Sequence, residues 1–220
     1  GQLDPYGEEG DTLLIIDNQP VTERQSRTTA TQLPLSAVQS FEVIQGVPPA
    51  EFGEKNSLVV RMNTRSGVGQ TKASGALNVG YGSFGTSIGS LSVAVGGRQL
   101  GNFLAVDGLN TGRSLDSPEF VPLHDRGNAE NIFDRGDYQW GEVDAVHLDL
   151  GWSRSWLQAP NTYDQAFSGQ DQRQQLQGFM VAPSYSHLLS ASAIWNVNGW
   201  VRRQEVDYYP SADPFSDQPA

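Results

Sequence analysis

The chain contains no cysteine, which excludes disulfides and thiolate metal sites and leaves cytosolic and envelope locations equally open. It has no run of about 18 apolar residues, so no membrane-spanning helix is expected. Barrel strands escape that exclusion, because each carries only about ten alternating residues of signal. Basic residues are few and scattered, 14 Lys and Arg against 25 Asp and Glu for a net charge of −11. A nucleic-acid partner needs clustered cations against phosphate and is therefore not expected. Hydrophobic residues make up only 37% of the chain, yet regular alternation over most of its length argues against disorder as the reason.

Catalytic signatures are missing as well. There is no G-x-S-x-G, no H-E-x-x-H and no phosphate-binding loop. The histidines His124, His147 and His187 lie far apart and never at ligand spacing. Asp207, Asp213 and Asp217 near the end lack the spacing of a calcium-binding EF-hand loop. Carboxylate pairs of the kind a glycosidase uses exist, but any acidic β-protein offers them. No catalytic residue, metal or cofactor is expected. The N-terminal GQLDPYGEEGD lacks a basic region followed by an apolar one and is no signal peptide. It opens mid-pattern, DYYPSADPFSDQPA closes no element, and the sequence reads as a fragment.

What is present points to β-structure. Gly is frequent, at 24, and aromatics reach 10%, with Ser, Thr and Asn abundant. Two regimes are visible. Up to about residue 70 the pattern is that of a small α+β domain. Thr12 to Asp17, TLLIID, is a nearly continuous apolar strand of the kind buried on both faces. Residues 21 to 32 are polar and aperiodic. Pro34 to Gln39 suits a helical turn with proline at its first position. Phe41 to Gly67 is a β-loop-β unit whose middle holds Gly46, Pro48, Pro49 and Gly53, residues that favour compact turns.

From about Lys72 the chain becomes a series of alternating strands at residues 74–83, 86–95, 101–110, 130–140, 145–156, 176–185 and 190–202. The clearest sets Val146, Leu148, Leu150 and Trp152 against His147, Asp149, Gly151 and Ser153. After the first link, the connections run short, long, short, long, short. In an up-and-down meander that puts tight turns at one end and long loops at the other. Short turns on one side, long loops on the other and apolar-out/polar-in strands make the pattern of an outer-membrane barrel. Tyr81, Phe84, Trp140, Trp152, Trp156, Trp195 and Trp200 fall near enough to strand ends to suggest aromatic girdles.

Phe41-Glu42-Val43-Ile44-Gln45-Gly46, Ala50-Glu51-Phe52-Gly53 and Val59 to Arg65 (VVRMNTR) resemble the end of the plug domain of TonB-dependent outer-membrane receptors. Leu14 to Gln19, LIIDNQ, is similar to an earlier plug strand that usually ends in Asp-Gly. Asn18 stands where that glycine is usual, and Asn56-Ser57-Leu58 replaces the usual Gly-Gly before the final strand. Receptors of this family have about 22 strands around a plugged lumen.

The resemblance implies a mainly β chain: plug at 1–70, N-terminally truncated, then an antiparallel meander of about seven barrel strands at 71–220. It implies a ligand-gated active importer in the outer membrane of a Gram-negative bacterium, with no covalent chemistry of its own. Its partners would be outer-membrane lipid, the TonB energy-transducing complex and a small-molecule, oligosaccharide or peptide ligand. Residues 22–31 would form an apical plug loop, where Glu23, Arg24, Gln25 and Arg27 either contact ligand or are merely solvated. Glu42, Glu51, Arg61 and Arg65 would pair with charged groups on the barrel's inner wall, since unpaired buried charge is costly. The competing expectation is a secreted or surface all-β carbohydrate-active enzyme or adhesion module. The deciding feature is whether the face opposite Val146, Leu148, Leu150 and Trp152 meets a plug or a second sheet of a sandwich. The importer reading also predicts that the piece alone, with open edges and an apolar face, is not a stable soluble monomer.

Overall fold

A computed structural model describes residues 12–21, 32–45, 49 and 58–217. Four strands, β1 (Thr12–Ile16), β2 (Gln19–Pro20), β3 (Val38–Gln45) and β4 (Leu58–Thr64), form a small sheet in the order β2-β1-β4-β3. β1 runs parallel to β4, with Leu14 opposite Val60, and the other pairs are antiparallel. A central parallel strand needs cover on both faces. Ile15 and Ile16 point to opposite faces and both are buried, so the continuous apolar run TLLIID meets its expectation. The Asp17-Asn18 turn is left-handed, with φ of 45° and 67°. Asn and Asp tolerate that region better than other side-chain-bearing residues.

The expected helical turn is shorter than its sequence suggests. Leu35–Ala37 is a single 3₁₀ turn with Pro34 at the cap position, and strand resumes at Val38. Arg65 N–H donates to the Ala37 carbonyl, which draws the chain into the ladder with β4 before a second helical turn can form. The turn-rich loop of residues 46–57 lies, except for Pro49, outside the described residues.

The large sheet contains β5 (Ser74–Tyr81), β6 (Ser87–Gly96), β7 (Leu100–Thr111), β8 (Gly127–Trp140), β9 (Asp144–Gln158), β10 (Arg173–Ser190), β11 (Ala193–Asn198) and β12 (Val201–Tyr209). From β5 to β10 each strand pairs antiparallel with the next. β11 pairs with residues 184–190 of β10 and β12 with residues 173–181. The two are therefore one stave of the meander, broken at Gly199-Trp200. The wall has the seven staves that the alternation predicts.

Three boundaries need correction. The last stave runs on to Tyr209, past the expected end at Arg202, because Arg203 to Tyr209 still pair residue by residue with β10. β8 starts at Gly127 and β10 spans 173–190. Backbone N–H and C=O groups continue a ladder whatever the side chains are, so apolar alternation marks only part of each strand. The expected loop after Leu157 also contains a short helix, α1 (Tyr163–Phe167), closed by a capping box in which Thr162 and Gln165 bond reciprocally. That T-x-x-Q is a legible start signal.

Side chains alternate across the wall. Phe103, Ala105, Phe133, Met180 and Ala182 point to one face and form a single buried core with Ile16, Val21 and Ala37 of the small sheet. Val146, Leu148 and Leu150 point the other way and are exposed. The inner face of the wall thus packs on the small sheet, and the apolar outer face of β9 packs on nothing among the described residues.

The chain passes from small sheet to wall through a tight seam. A β-carbon on Gly67 would lie 2.2 Å from the Asn102 carbonyl oxygen, and one on Gly101 would lie 2.2 Å from the Val68 nitrogen. Gly69 N–H bonds Gly97 O at 2.8 Å and Gly96 N–H bonds Gln70 O at 2.8 Å, fastening the linker to the short turn at 97–99.

Candidate functional site

The polar contact between small sheet and wall is built around Arg135. The left-handed turn after β1 brings Asp17 to the wall, and the end of β4 brings Thr64 beside it. Asp17 Oδ1 accepts the Thr64 N–H at 3.0 Å and Oδ2 the Thr64 hydroxyl at 2.5 Å. Arg135 projects inward from β8. Its Nη1 lies 3.3 Å from Asp17 Oδ2 and donates to Thr64 Oγ1 at 2.9 Å. Nε and Nη2 both donate to Asp137 Oδ1, at 2.9 and 2.8 Å. Ser66 donates to Asp137 Oδ2 at 2.7 Å and accepts the Val68 N–H at 3.1 Å. One guanidinium fork therefore ties two acids from different sheets, a geometry lysine cannot reproduce.

Asp149, 1% exposed, lies on the inner face of β9, with its Oδ2 3.6 Å from His147 Nε2. Asp17 and Asp137 bind the guanidinium, and Asp149 stands opposite Arg135 on the neighbouring strand. Next to it is a cavity of about 370 Å³ bordered by Asp17, Ser66, Arg135, Asp137, His147 and Ser186. Gln139 and Ala145, which flank the short turn 141–143, line its mouth. The arrangement is a charged clamp between the small sheet and the wall, beside a polar chamber on the short-turn side. Among the described residues no group of three or more His, Asp or Glu is placed to hold a metal.

Of the residues selected by sequence, Glu23, Arg24, Gln25, Arg27 and Glu51 lie outside the described residues. Glu42 is exposed on β3 and stands opposite Arg61 of β4 as its cross-strand partner. Arg65 Nε donates to the Val38 carbonyl at 3.2 Å, within the small sheet. Asp17, Thr64 and Ser66 are the small-sheet residues gathered around Arg135, and sequence reasoning did not select them. Asp17 was visible as the acid of LIIDNQ, and His147 and Asp149 as the polar face of β9. Their convergence on Arg135 had no sequence signal, because the partners lie more than a hundred positions apart for Asp17 and Arg135.

At the opposite end, His124 joins the two long loops. Its Nδ1 is 2.8 Å from the Ala159 carbonyl and its Nε2 2.5 Å from Asp171 Oδ1. Asp125 Oδ1 accepts the N–H groups of Ser114 and Leu115 at 3.0 and 2.8 Å. The pair His124-Asp125 serves loop structure.

No protein-family model and no curated protein matches the chain. Solved structures do. The copper transporter OprC aligns with a TM-score of 0.67 at 14% identity, over 90% of this chain and 30% of its own. The ferric-catecholate import receptor Fiu of E. coli K12, in an open form, aligns with a TM-score of 0.68 at 15% identity, over 91% of this chain and 33% of its own. The ferric enterobactin receptor PfeA of Pseudomonas aeruginosa aligns with a TM-score of 0.53 at 14% identity, over 91% and 38%. The chain thus spans about a third of the length of the structures it matches. A small sheet clamped to the inner face of an up-and-down wall, aligned over nine-tenths of its length with such receptors, has the plug-and-barrel fold of the TonB-dependent outer-membrane receptors.

Proposed function

We propose that the chain is part of an outer-membrane receptor that imports a scarce extracellular ligand through a plugged β-barrel, with residues 1–70 as plug and 71–220 as the leading barrel strands. One observation carries this reading: the small sheet packs on the inner face of the wall, through an apolar core and the Arg135 cluster, while the outer face of β9 stays apolar and uncovered. In a soluble sandwich or adhesion module the outward-facing residues would be polar.

The height of the apolar face supports a membrane. On β9 the outward residues run from Asp144 through Val146, Leu148, Leu150 and Trp152 to Arg154. Ten steps at about 3.3 Å, tilted by about 40°, rise about 25 Å, the height of a barrel's apolar band. No helix among the described residues is long and apolar enough to cross a membrane, and strands are what cross here. The long loops face outward and the short turns the periplasm. Glu23, Arg24, Gln25 and Arg27 are offered for ligand contact, and Glu42, Glu51, Arg61 and Arg65 for pairing with charged groups on the barrel's inner wall. Energy would come through TonB. The ligand class is drawn from what the matched receptors are named for, a metal ion or a ferric chelate.

Planar-bilayer conductance tests the plug. The intact receptor is expected to stay closed, and deletion of residues 1–70 to open a steady channel. A deletion variant that inserts and stays closed would refute the plug assignment. Uptake of copper, ferric catecholate and cobalamin in cells with and without TonB then tests import, which fails as a reading if all three enter equally in both strains.

A further inference from the structure

At the short-turn end of the wall, four staves place one outward row of side chains side by side. Trp140 of β8 stands opposite Asp144 of β9, Asp144 opposite His187 of β10, and His187 opposite Trp195 of β11. All four have the parity of the exposed face: Asp149 and Ser153 on β9, and Ala182 and Ser184 on β10, are the buried inner residues. The central two are joined, with His187 Nδ1 2.6 Å from Asp144 Oδ1. Tyr185 donates its hydroxyl to the same oxygen at 2.6 Å. Its ring stacks on His187 at 6.5 Å and meets the edge of Trp195 at 6.2 Å. The flanking indoles are open, Trp140 at 71% and Trp195 at 55% exposed. One row nearer the middle of the face come Tyr138, Val146, Tyr185 and Val197, and the apolar band begins there.

An ion pair in hydrocarbon is expensive, so this row belongs at headgroup depth, where tryptophan and tyrosine are favoured. At that depth it offers a carboxylate and an imidazole side by side between two indoles. The pair leaves atoms free for a ligand. Asp144 Oδ2 carries none of the bonds made to Oδ1. His187 faces Asp144 with Nδ1 and so directs Nε2 away from it. The complementary ligand is a zwitterion with an N–H cation at one end and a phosphate at the other.

We propose that this row binds the phosphoethanolamine headgroup of a phospholipid in the leaflet on the short-turn side. The ammonium donates to Asp144 Oδ2 and the phosphate accepts from His187 Nε2–H, while Trp140 and Trp195 flank the glycerol region. A phosphocholine headgroup has the same charges but no N–H, so the site discriminates between the two. The proposal rests on the membrane reading above.

The test reconstitutes the receptor in vesicles of equal phosphatidylethanolamine and phosphatidylcholine, with brominated acyl chains on one or the other lipid. Every tryptophan of the receptor other than Trp140 and Trp195 is changed to phenylalanine, so that these two dominate the emission. Bromine on phosphatidylethanolamine is expected to quench about two-fold more than bromine on phosphatidylcholine, the scale of one partly solvated charge contact. Asp144→Asn, which keeps the shape and removes the charge, is expected to make the two lipids equal. Equal quenching in that variant also shows that it is inserted, so its lost preference is not misfolding. Equal quenching before the change, or a preference that survives it, overturns the site and leaves the membrane reading intact. Absence of quenching by either lipid overturns both.

Discussion

Arg135 is the residue on which the contact between small sheet and wall turns, because it bridges Asp17 of the one and Asp137 of the other. Its side chain is 14% exposed and that of Asp17 7%, so both charges have given up most of their water. Removing one partner of such a pair leaves the other buried and unpaired, at a cost of about 3–5 kcal/mol. Arg135→Ala is therefore expected to loosen the plug by that order, read as easier guanidinium-induced release or faster proteolysis of the small sheet. The triple change Asp17→Asn, Asp137→Asn and Arg135→Met removes the guanidinium and both acids it holds and is expected to recover most of the loss. If the triple variant is as weak as the single one, this cluster is not what seats the small sheet.

Beyond the strands, Asp217 gives a pH signature. Hydrogen bonds from Ser211, with a further one from the Tyr208 hydroxyl, hold its carboxyl below the usual carboxylate range. A group depressed on folding stabilises above its unfolded pKa, and that stabilisation disappears as the pH falls through the folded value. Amide exchange at Ser211 should stay slow through about pH 4, the ordinary Asp range, and accelerate only below it. Asp217→Asn should exchange fast throughout.

At the scale of elements, strand existence was legible because period-2 alternation survives wherever one face is apolar, as in residues 145–156. Strand ends were not, since Arg203 to Tyr209 continue the ladder with β10 beyond the alternating stretch. The clamp was half legible. Asp17 was in a quoted motif and Asp149 was on a polar face, but the sequence carries no distance between them. The charges expected to meet the wall, Glu42, Arg61 and Arg65, sit on β3, on β4 and just past its end. Strand membership reads easily from sequence, whereas the direction of a side chain relative to a second sheet does not.

The seam at Gly67, Gly96 and Gly101 is an element property of the same kind. Each glycine has backbone atoms within 2.6 Å of where a β-carbon would go, so the linker lies flush on β6 and β7 with no space for a methyl group. Backbone cannot yield as a flexible side chain does, and Gly101→Ala is expected to part the linker from the short turn at 97–99. Loss of protection at Gly69 N–H in hydrogen exchange would show it. Gly85→Ala is the contrast: open space surrounds that position and its φ of +66° supplies the only penalty, on the order of 1 kcal/mol.

For the molecule as a whole, the choice between a receptor wall and a soluble all-β module comes down to what surrounds Leu148 and Leu150. Both are exposed, with Asp144 and Arg154 bounding the apolar stretch. If water surrounds them, Leu150→Arg is one more surface change and shifts stability by about 0.5 kcal/mol or less. If lipid surrounds them, position 150 lies near mid-depth, and an outward arginine there costs about 2–4 kcal/mol, falling to about 0–1 near the interfaces. Gln158, outward on the same strand but beyond Arg154, is the control, because Gln158→Arg should cost almost nothing in either solvent. Equilibrium unfolding from vesicles of the two variants then reads the environment as a difference between positions on one strand. A gap of 2 kcal/mol or more, on the order of the mid-depth cost, puts Leu150 in lipid. No gap would return the chain to the soluble reading, because nothing else in the fold explains why a wall whose inner face packs on a clamped stopper should leave its outer face apolar.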